Sequence, residues 1–118
     1  MDEHLKEIME IERVLGIIYF SFDGNVLFQY YKQEETQGID GWDLSLFAAA
    51  LDKIGEAELV FENIILYIVR GRKGFLLAVM GRTAPVALVR LNCNILLAAL
   101  DKESQKPKGL ARFLKKRA

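Results

Sequence analysis

Three short runs of β-type composition, Glu58 to Glu62, Ile64 to Arg70 and Phe75 to Met80, lead straight into a segment that is apolar on nearly every side of a helical wheel. From Thr83 to Leu100 the polar positions Arg90 and Asn94, continued by Asp101, fall on one narrow stripe. Leu88, Val89, Leu91, Cys93, Ile95, Leu96 and Leu100 spread around the rest. Such a helix needs cover from two directions, more than a lone chain of 118 residues can readily supply. The segment carries almost no reactive side chains. It therefore points to a sheet-and-helix domain whose work lies in its surfaces and its partner.

A chain of this length fits one domain, which buries roughly two-thirds of the surface its unfolded form would expose. Its hydrophobic fraction, 52%, exceeds the ~45–50% usual for soluble domains, and its mean hydropathy is positive at +0.14. Both lean toward an oligomer with a buried apolar face. No apolar run approaches the roughly 20 residues that a membrane-spanning helix needs. The start, MDEHLKEIMEIER, is acidic and amphipathic rather than basic and apolar, so it does not read as a secretory signal and a cytoplasmic location is expected. The single cysteine, Cys93, agrees with a reducing compartment and excludes an internal disulfide or a cysteine-based zinc site within one chain.

Charge is balanced in total but not in place. Lys106, Lys108, Arg112, Lys115, Lys116 and Arg117 lie in residues 104–118, where there is no acid; the other residues hold ten basic and sixteen acidic side chains. An acidic body with a basic tail has a segment able to find an acidic protein face, an anionic membrane or a nucleic acid. The expected organisation is a domain over residues 1–103 and a basic C-terminal tail over 104–118. The tail reads as a disordered solubilising end or, through Leu110, Ala111, Phe113 and Leu114, as at most a short amphipathic docking helix.

Along the chain, Leu5, Ile8, Met9 and Ile11 recur at helical spacing against Glu3, Lys6, Glu7, Glu10 and Arg13. Val14 to Phe22 reads as a strand buried on both faces. Asp23-Gly24 reads as a hairpin turn in which both positions accept positive φ, returning the chain as Val26 to Tyr31. Lys32 to Gly41 has no apolar period and reads as a loop. A helix is expected from near Trp42 to near Gly55, with Leu44, Phe47, Ala48, Leu51 and Ile54 facing a sheet. A second stripe, Trp42, Leu46, Ala49 and Lys53, runs along roughly the opposite side, where a surface helix would ordinarily be charged. Glu58 to Glu62 is the most edge-like strand. Gly71-Arg72-Lys73-Gly74 makes another hairpin, and Thr83 with Pro85 opens the last helix.

Catalytic chemistry is missing from this pattern. His4 stands alone on the margin of the first helix and reads as a solvated side chain. Cys93 sits within the most apolar helix and reads as a small core residue rather than a nucleophile. The carboxylates fall on solvent faces or in a loop, and Gly71 to Gly74 lacks the helix and Ser or Thr of a phosphate loop. The cations Arg70, Arg72, Lys73 and Arg82 do not form one nucleic-acid patch. No catalytic residue, cofactor or metal is expected.

The element order α-β-β-α-β-β-β-α, with VLGIIYFSFDGNVLF at residues 14–28 and Phe75-Leu76-Leu77-Ala78-Val79 followed by a helix containing Leu88-Val89-Arg90-Leu91, resembles the roadblock/dynein light-chain domain family over roughly Asp2 to Lys102. The resemblance implies an α+β, profilin-like fold: a five-stranded antiparallel sheet in the order 2-1-5-4-3, the middle helix on one face and the terminal helices on the other. It also implies a homodimer formed through the middle helix and the third strand. That places the interface on Trp42, Leu46, Ala49, Lys53, Leu59, Val60 and Phe61.

Members of the family bind Ras-like small GTPases or scaffold their complexes, and bacterial relatives include a GTPase-activating partner. By that analogy the chain is a non-catalytic homodimeric regulator or scaffold of such a GTPase. Arg70, Arg72 and Arg82 are the arginines to test for a role in activation. The competing reading is a GTPase-independent adaptor docking to an anionic membrane or acidic protein through Lys106, Lys108, Leu110, Arg112, Phe113, Leu114, Lys115, Lys116 and Arg117. A small-molecule sensor with a pocket beneath the middle helix comes third.

Overall fold

The computed structural model describes residues 2–32 and 43–105. Their order is α1 (Asp2–Met9), β1 (Val14–Ser21), β2 (Val26–Tyr31), α2 (Leu44–Ala50), β3 (Glu56–Val60), β4 (Ile64–Arg70), β5 (Gly74–Gly81) and α3 (Val86–Gln105). The strands form one antiparallel sheet, β2-β1-β5-β4-β3, which is the α+β architecture expected.

The two-residue period of a strand sorts the side chains into two cores. Ile18, Phe20, Leu66, Ile68, Phe75, Leu77 and Val79 lie on one face, where Ala48 and Leu51 of α2 and its C-terminal turn are buried against them. Ile17, Tyr19, Ile65, Tyr67, Leu76, Ala78 and Met80 lie on the other, beneath Leu5 and Ile8 of α1 and Val89, Cys93 and Leu96 of α3. Because β1, β4 and β5 carry apolar residues at consecutive positions, each contributes to both cores. The sheet is the shared floor of the molecule.

Several boundaries differ from expectation for local physical reasons. Asp43 caps α2, its Oδ1 accepting from the Ser45 and Leu46 backbone N–H groups at 3.1 and 3.3 Å. The helix ends at Ala50, and Lys53 turns left-handed at φ 72°. The helix is therefore seven residues rather than about fourteen, and Ile54 is exposed beyond it instead of facing the sheet. β3 runs Glu56–Val60 rather than Glu58 to Glu62, because it pairs with β4 from Glu56↔Val69 to Val60↔Ile65. Phe61 then donates its N–H to the Ile64 carbonyl and closes the turn. α3 begins at Val86, with the Pro85 carbonyl accepting from Leu88 and Val89, while Thr83 stays in the preceding turn; the helix continues to Gln105.

The first hairpin also differs in kind. Only Gly24 carries positive φ, 93°. Gly24 N–H donates to the Ser21 carbonyl and Ser21 N–H to the Asn25 carbonyl, and the register slips between Tyr19↔Phe28 and Phe20↔Val26. This is a three-residue loop with a left-handed glycine and a bulge, not a two-residue turn needing positive φ twice. A side chain at Gly24 would also strike the start of α2, since its Cβ would lie 2.4 Å from Ser45 N.

Candidate partner interface

β3 is an edge strand. Gly55 accepts from Arg70 N–H and Phe61 donates to Ile64, so the antiparallel alternation turns the N–H and C=O of Glu56, Glu58 and Val60 outward, away from β4. Three consecutive outward sets make a ready template for another strand.

α2 covers the face of the sheet to which Ala57 and Leu59 of β3 also turn. Ala48 holds it to the sheet, with Leu44 and Phe47 half-buried, and the helix leaves Leu46 67% exposed with Ala49 and Ala50 also in solvent. Asp43, Leu46, Phe47 and Ala50 line an open, mostly apolar groove of about 390 Å³. Lys53 lies past the helix end, at the left-handed position, so it is not one more turn of the Leu46 and Ala49 stripe. Trp42 lies outside the described residues, as do all nine tail positions from Lys106 to Arg117.

The sequence run Leu59-Val60-Phe61 is divided by the strand period. Leu59 is half-buried on the α2 side of the sheet, together with Ala57. Val60 falls on the α3 side with Glu56 and Glu58 and is 55% exposed. Phe61 is exposed just beyond the strand. The edge thus offers apolar groups above and below one line of unpaired backbone.

A polar network braces this edge from the α3 side. Arg90 Nε donates to Glu56 Oε2 at 2.9 Å, the Tyr67 hydroxyl bonds the same carboxylate oxygen, and Asn94 Nδ2 donates to Tyr67 Oη at 3.1 Å. The Tyr67 hydrogen bond, followed by Arg90, holds the Glu56 carboxyl below its usual range. Burial, reinforced by Glu56, pushes the Tyr67 phenol up to about 12. The stripe Arg90, Asn94 and Asp101 is therefore turned toward β3 and β4, with Asp101 Oδ1 accepting from Arg72 N–H at 3.1 Å.

The arginines do not converge. Arg70 stacks on Phe22 at 4.5 Å and on Phe75 at 5.3 Å. Arg82 Nη1 donates to the carbonyls of Phe61 and Glu62 at 3.0 and 3.1 Å, tying the β3–β4 turn to the end of β5. Cys93 is fully buried, and burial raises its thiol to about 12, consistent with a packing residue. His4, read as solvated, is half-buried with Nδ1 shut away from water. Among the described residues no three His, Cys, Asp or Glu side chains could hold a metal ion, and no helix is long and apolar enough to cross a membrane. A cleft of about 550 Å³ opens between the first hairpin and the start of α2, lined by Ile18, Gln29, Tyr31 and Ser45 among others. Its Asp43 carboxylate is engaged in capping α2.

Scans against protein-family models and curated proteins match nothing. Solved structures do match. The gliding protein MglB from Thermus thermophilus superposes with a TM-score of 0.70 at 21% identity, covering 90% of this chain and 89% of that one. A roadblock/LC7 domain from Streptomyces avermitilis gives 0.69 at 12% identity over 90% and 98%. MglC from Myxococcus xanthus gives 0.67 at 15% identity over 86% and 97%. This chain has the roadblock fold. The strand order and the division of helices between the two faces, expected from the resemblance, are those of the molecule. Within that roadblock fold, the outer edge of β3 and the outer side of α2 are both left unpartnered among the described residues.

What sequence reasoning missed is the network on Glu56. The composition starts the edge strand only at Glu58, and the partners Tyr67 and Arg90 lie 11 and 34 residues from Glu56. The available signal was a tyrosine within an otherwise apolar strand, because a buried hydroxyl requires a partner.

Proposed function

We propose that this chain is a non-catalytic regulator or scaffold that pairs with a second copy through β3 and α2 and presents the resulting surface to a Ras-like small GTPase. The observation that carries the reading is the open β3 edge, together with the exposed Leu46 and Ala49 on the outer side of α2. An unpaired edge flanked by apolar side chains is a liability in a monomer and an asset in a two-fold dimer. Likeness in fold to MglB and to MglC supports the choice of partner class, since the roadblock family that this sequence resembles binds small GTPases.

Regulation by binding requires preference. A dimer that favours one arrangement of the GTPase switch loops by ~1–3 kcal/mol shifts the nucleotide-linked equilibrium roughly 5- to 150-fold. Activation of hydrolysis belongs to the same reading. Arg82 and Arg70 would have to leave their present partners to reach a nucleotide, so charge stabilisation by a supplied arginine is less favoured than ordering of the GTPase's own loops. Pull-down of the full chain on GTPases loaded with GDP or a GTP analogue tests this. Binding to one state in preference is expected, and equal or absent binding in both would remove the regulatory role.

A further inference from the structure

α3 carries a second apolar seam that the core does not use. Val89, Cys93, Leu96 and Leu97 are buried over the sheet, while Arg90 and Asn94 bond toward β3 and β4 on one flank. Leu88, Leu91 and Ile95 remain 46%, 58% and 42% exposed, with Ala87 and Ala98 exposed beside them. At 100° per residue this set lies roughly opposite the buried one, so it points away from the sheet. Leu88, Leu91, Ile95, Ala98 and Lys102 follow one another at alternating steps of three and four residues. That is the a/d period of a narrow seam between two helices.

The seam is complementary to itself. If two copies of α3 run antiparallel about a two-fold axis level with Cys93, Leu91 meets Ile95 of the partner subunit and Leu88 meets Ala98 of the partner subunit, each twice. Every layer is then apolar. Sliding by one heptad sets Leu91 against Lys102 of the partner subunit or carries Ile95 past the start of the partner subunit's α3. A parallel pair sets Lys102 against Lys102 of the partner subunit and aligns the two helix dipoles, whereas the antiparallel pair opposes them. One register alone therefore fills the seam without conflict of charge.

We propose that α3 is a second self-association surface, packing antiparallel on α3 of another copy through Leu88, Leu91, Ile95 and Ala98. The seam offers about nine residues a side, against the roughly 20–30 of a stable complex. A single seam between lone chains is thus weak, and its size in solution rests on the β3 pairing proposed above. Antiparallel edge pairing keeps directly opposed residues on one face of the joined sheet, so both α3 helices of a β3 dimer stand on the same side, across the sheet from α2. Two dimers that meet on this side form two seams at once. The expected assembly is four chains, with the outer sides of both α2 pairs left outward.

Sedimentation of the full chain across concentration tests this. The wild-type chain should reach a four-chain mass. Leu91→Glu and Ile95→Lys, both at exposed positions, should each stop at two chains with an unchanged unfolding midpoint, the four-chain Kd weakening at least roughly thirtyfold. Leu59→Arg should leave pairs that Leu91→Glu then separates; two-chain pairs lost in Leu91→Glu but kept in Leu59→Arg would support the seam and remove the β3 pairing. A wild-type mass of two chains that only Leu59→Arg breaks overturns the α3 seam and spares β3, and a four-chain mass that survives both α3 variants also overturns it. Register is read by mild oxidation. Leu91→Cys chains mixed with Ile95→Cys chains should cross-link to each other at least about tenfold faster than either variant to itself, because positions four residues apart on facing helices lie beyond disulfide reach. Native Cys93 is buried and does not compete. Faster cross-linking of each variant to itself would overturn the antiparallel seam.

Discussion

At the scale of single residues, Tyr67 matters more than its apolar neighbours in β4. Its ring belongs to the core under α3, while its hydroxyl joins Glu56 on the edge strand to Asn94 on the helix. We predict that Tyr67→Phe lowers stability at neutral pH by about 1 kcal/mol, the net worth of a hydrogen bond of this kind. The pH dependence gives a sharper signature. The depressed Glu56 carboxyl contributes stability that is present above pH 4.5 and lost as pH falls through its lower folded value. The raised Tyr67 phenol contributes stability that is full below pH 10 and lost as pH rises through about 12. Urea unfolding across pH should therefore show both limbs flattened in Tyr67→Phe. An unchanged acid limb would mean that the Tyr67 hydroxyl does not set the Glu56 carboxyl.

Among the elements, β3 sets the register of the dimer proposed above. Antiparallel self-pairing centred on Glu58 would set Glu58 against Glu58 of the partner subunit, like charges directly opposed. Centring on Leu59 instead sets Glu58 against Val60 of the partner subunit and Ala57 against Phe61 of the partner subunit. We predict the Leu59-centred register. Leu59→Arg should weaken the dimer by about 2 kcal/mol, roughly thirtyfold in Kd, and Leu46→Glu should act in the same direction from α2. Glu58→Gln discriminates between the registers: it should leave the Kd within about twofold, whereas a Glu58-centred pair would tighten. Sedimentation equilibrium measures all three, and a wild-type chain that stays monomeric would refute the pairing itself.

For the whole molecule, the governing fact is that one sheet floors both cores. Leu77 is fully buried in the α2 core, on the central strand β5, whose alternate residues Leu76 and Ala78 build the other. Leu77→Ala should cost ~2–5 kcal/mol, a large share of the ~5–15 kcal/mol that holds a domain of this size together. Urea unfolding followed separately by far-ultraviolet and near-ultraviolet signals should show one coincident, weakened transition. Two separated transitions would mean that the cores fail independently. The long apolar runs made the central sheet legible in advance: short runs rich in β-branched and aromatic residues, bounded by turn residues and without polar alternation, read as strands buried on both faces, and β4 matches its expected bounds to the residue. The α2 stripe at Leu46 and Ala49 was legible too, since apolar residues on a second helical face stand out against the charges expected there. What local composition determined, then, was which segments become strands and helices and that some greasy surface must remain. What only the tertiary structure decided was where each short element begins, which side of the sheet Leu59 and Val60 take, and which flank of α3 is spent on Glu56 and Tyr67. Those choices depend on partners 5 to 34 residues away, and no local period encodes a neighbour that the chain meets only after it has folded.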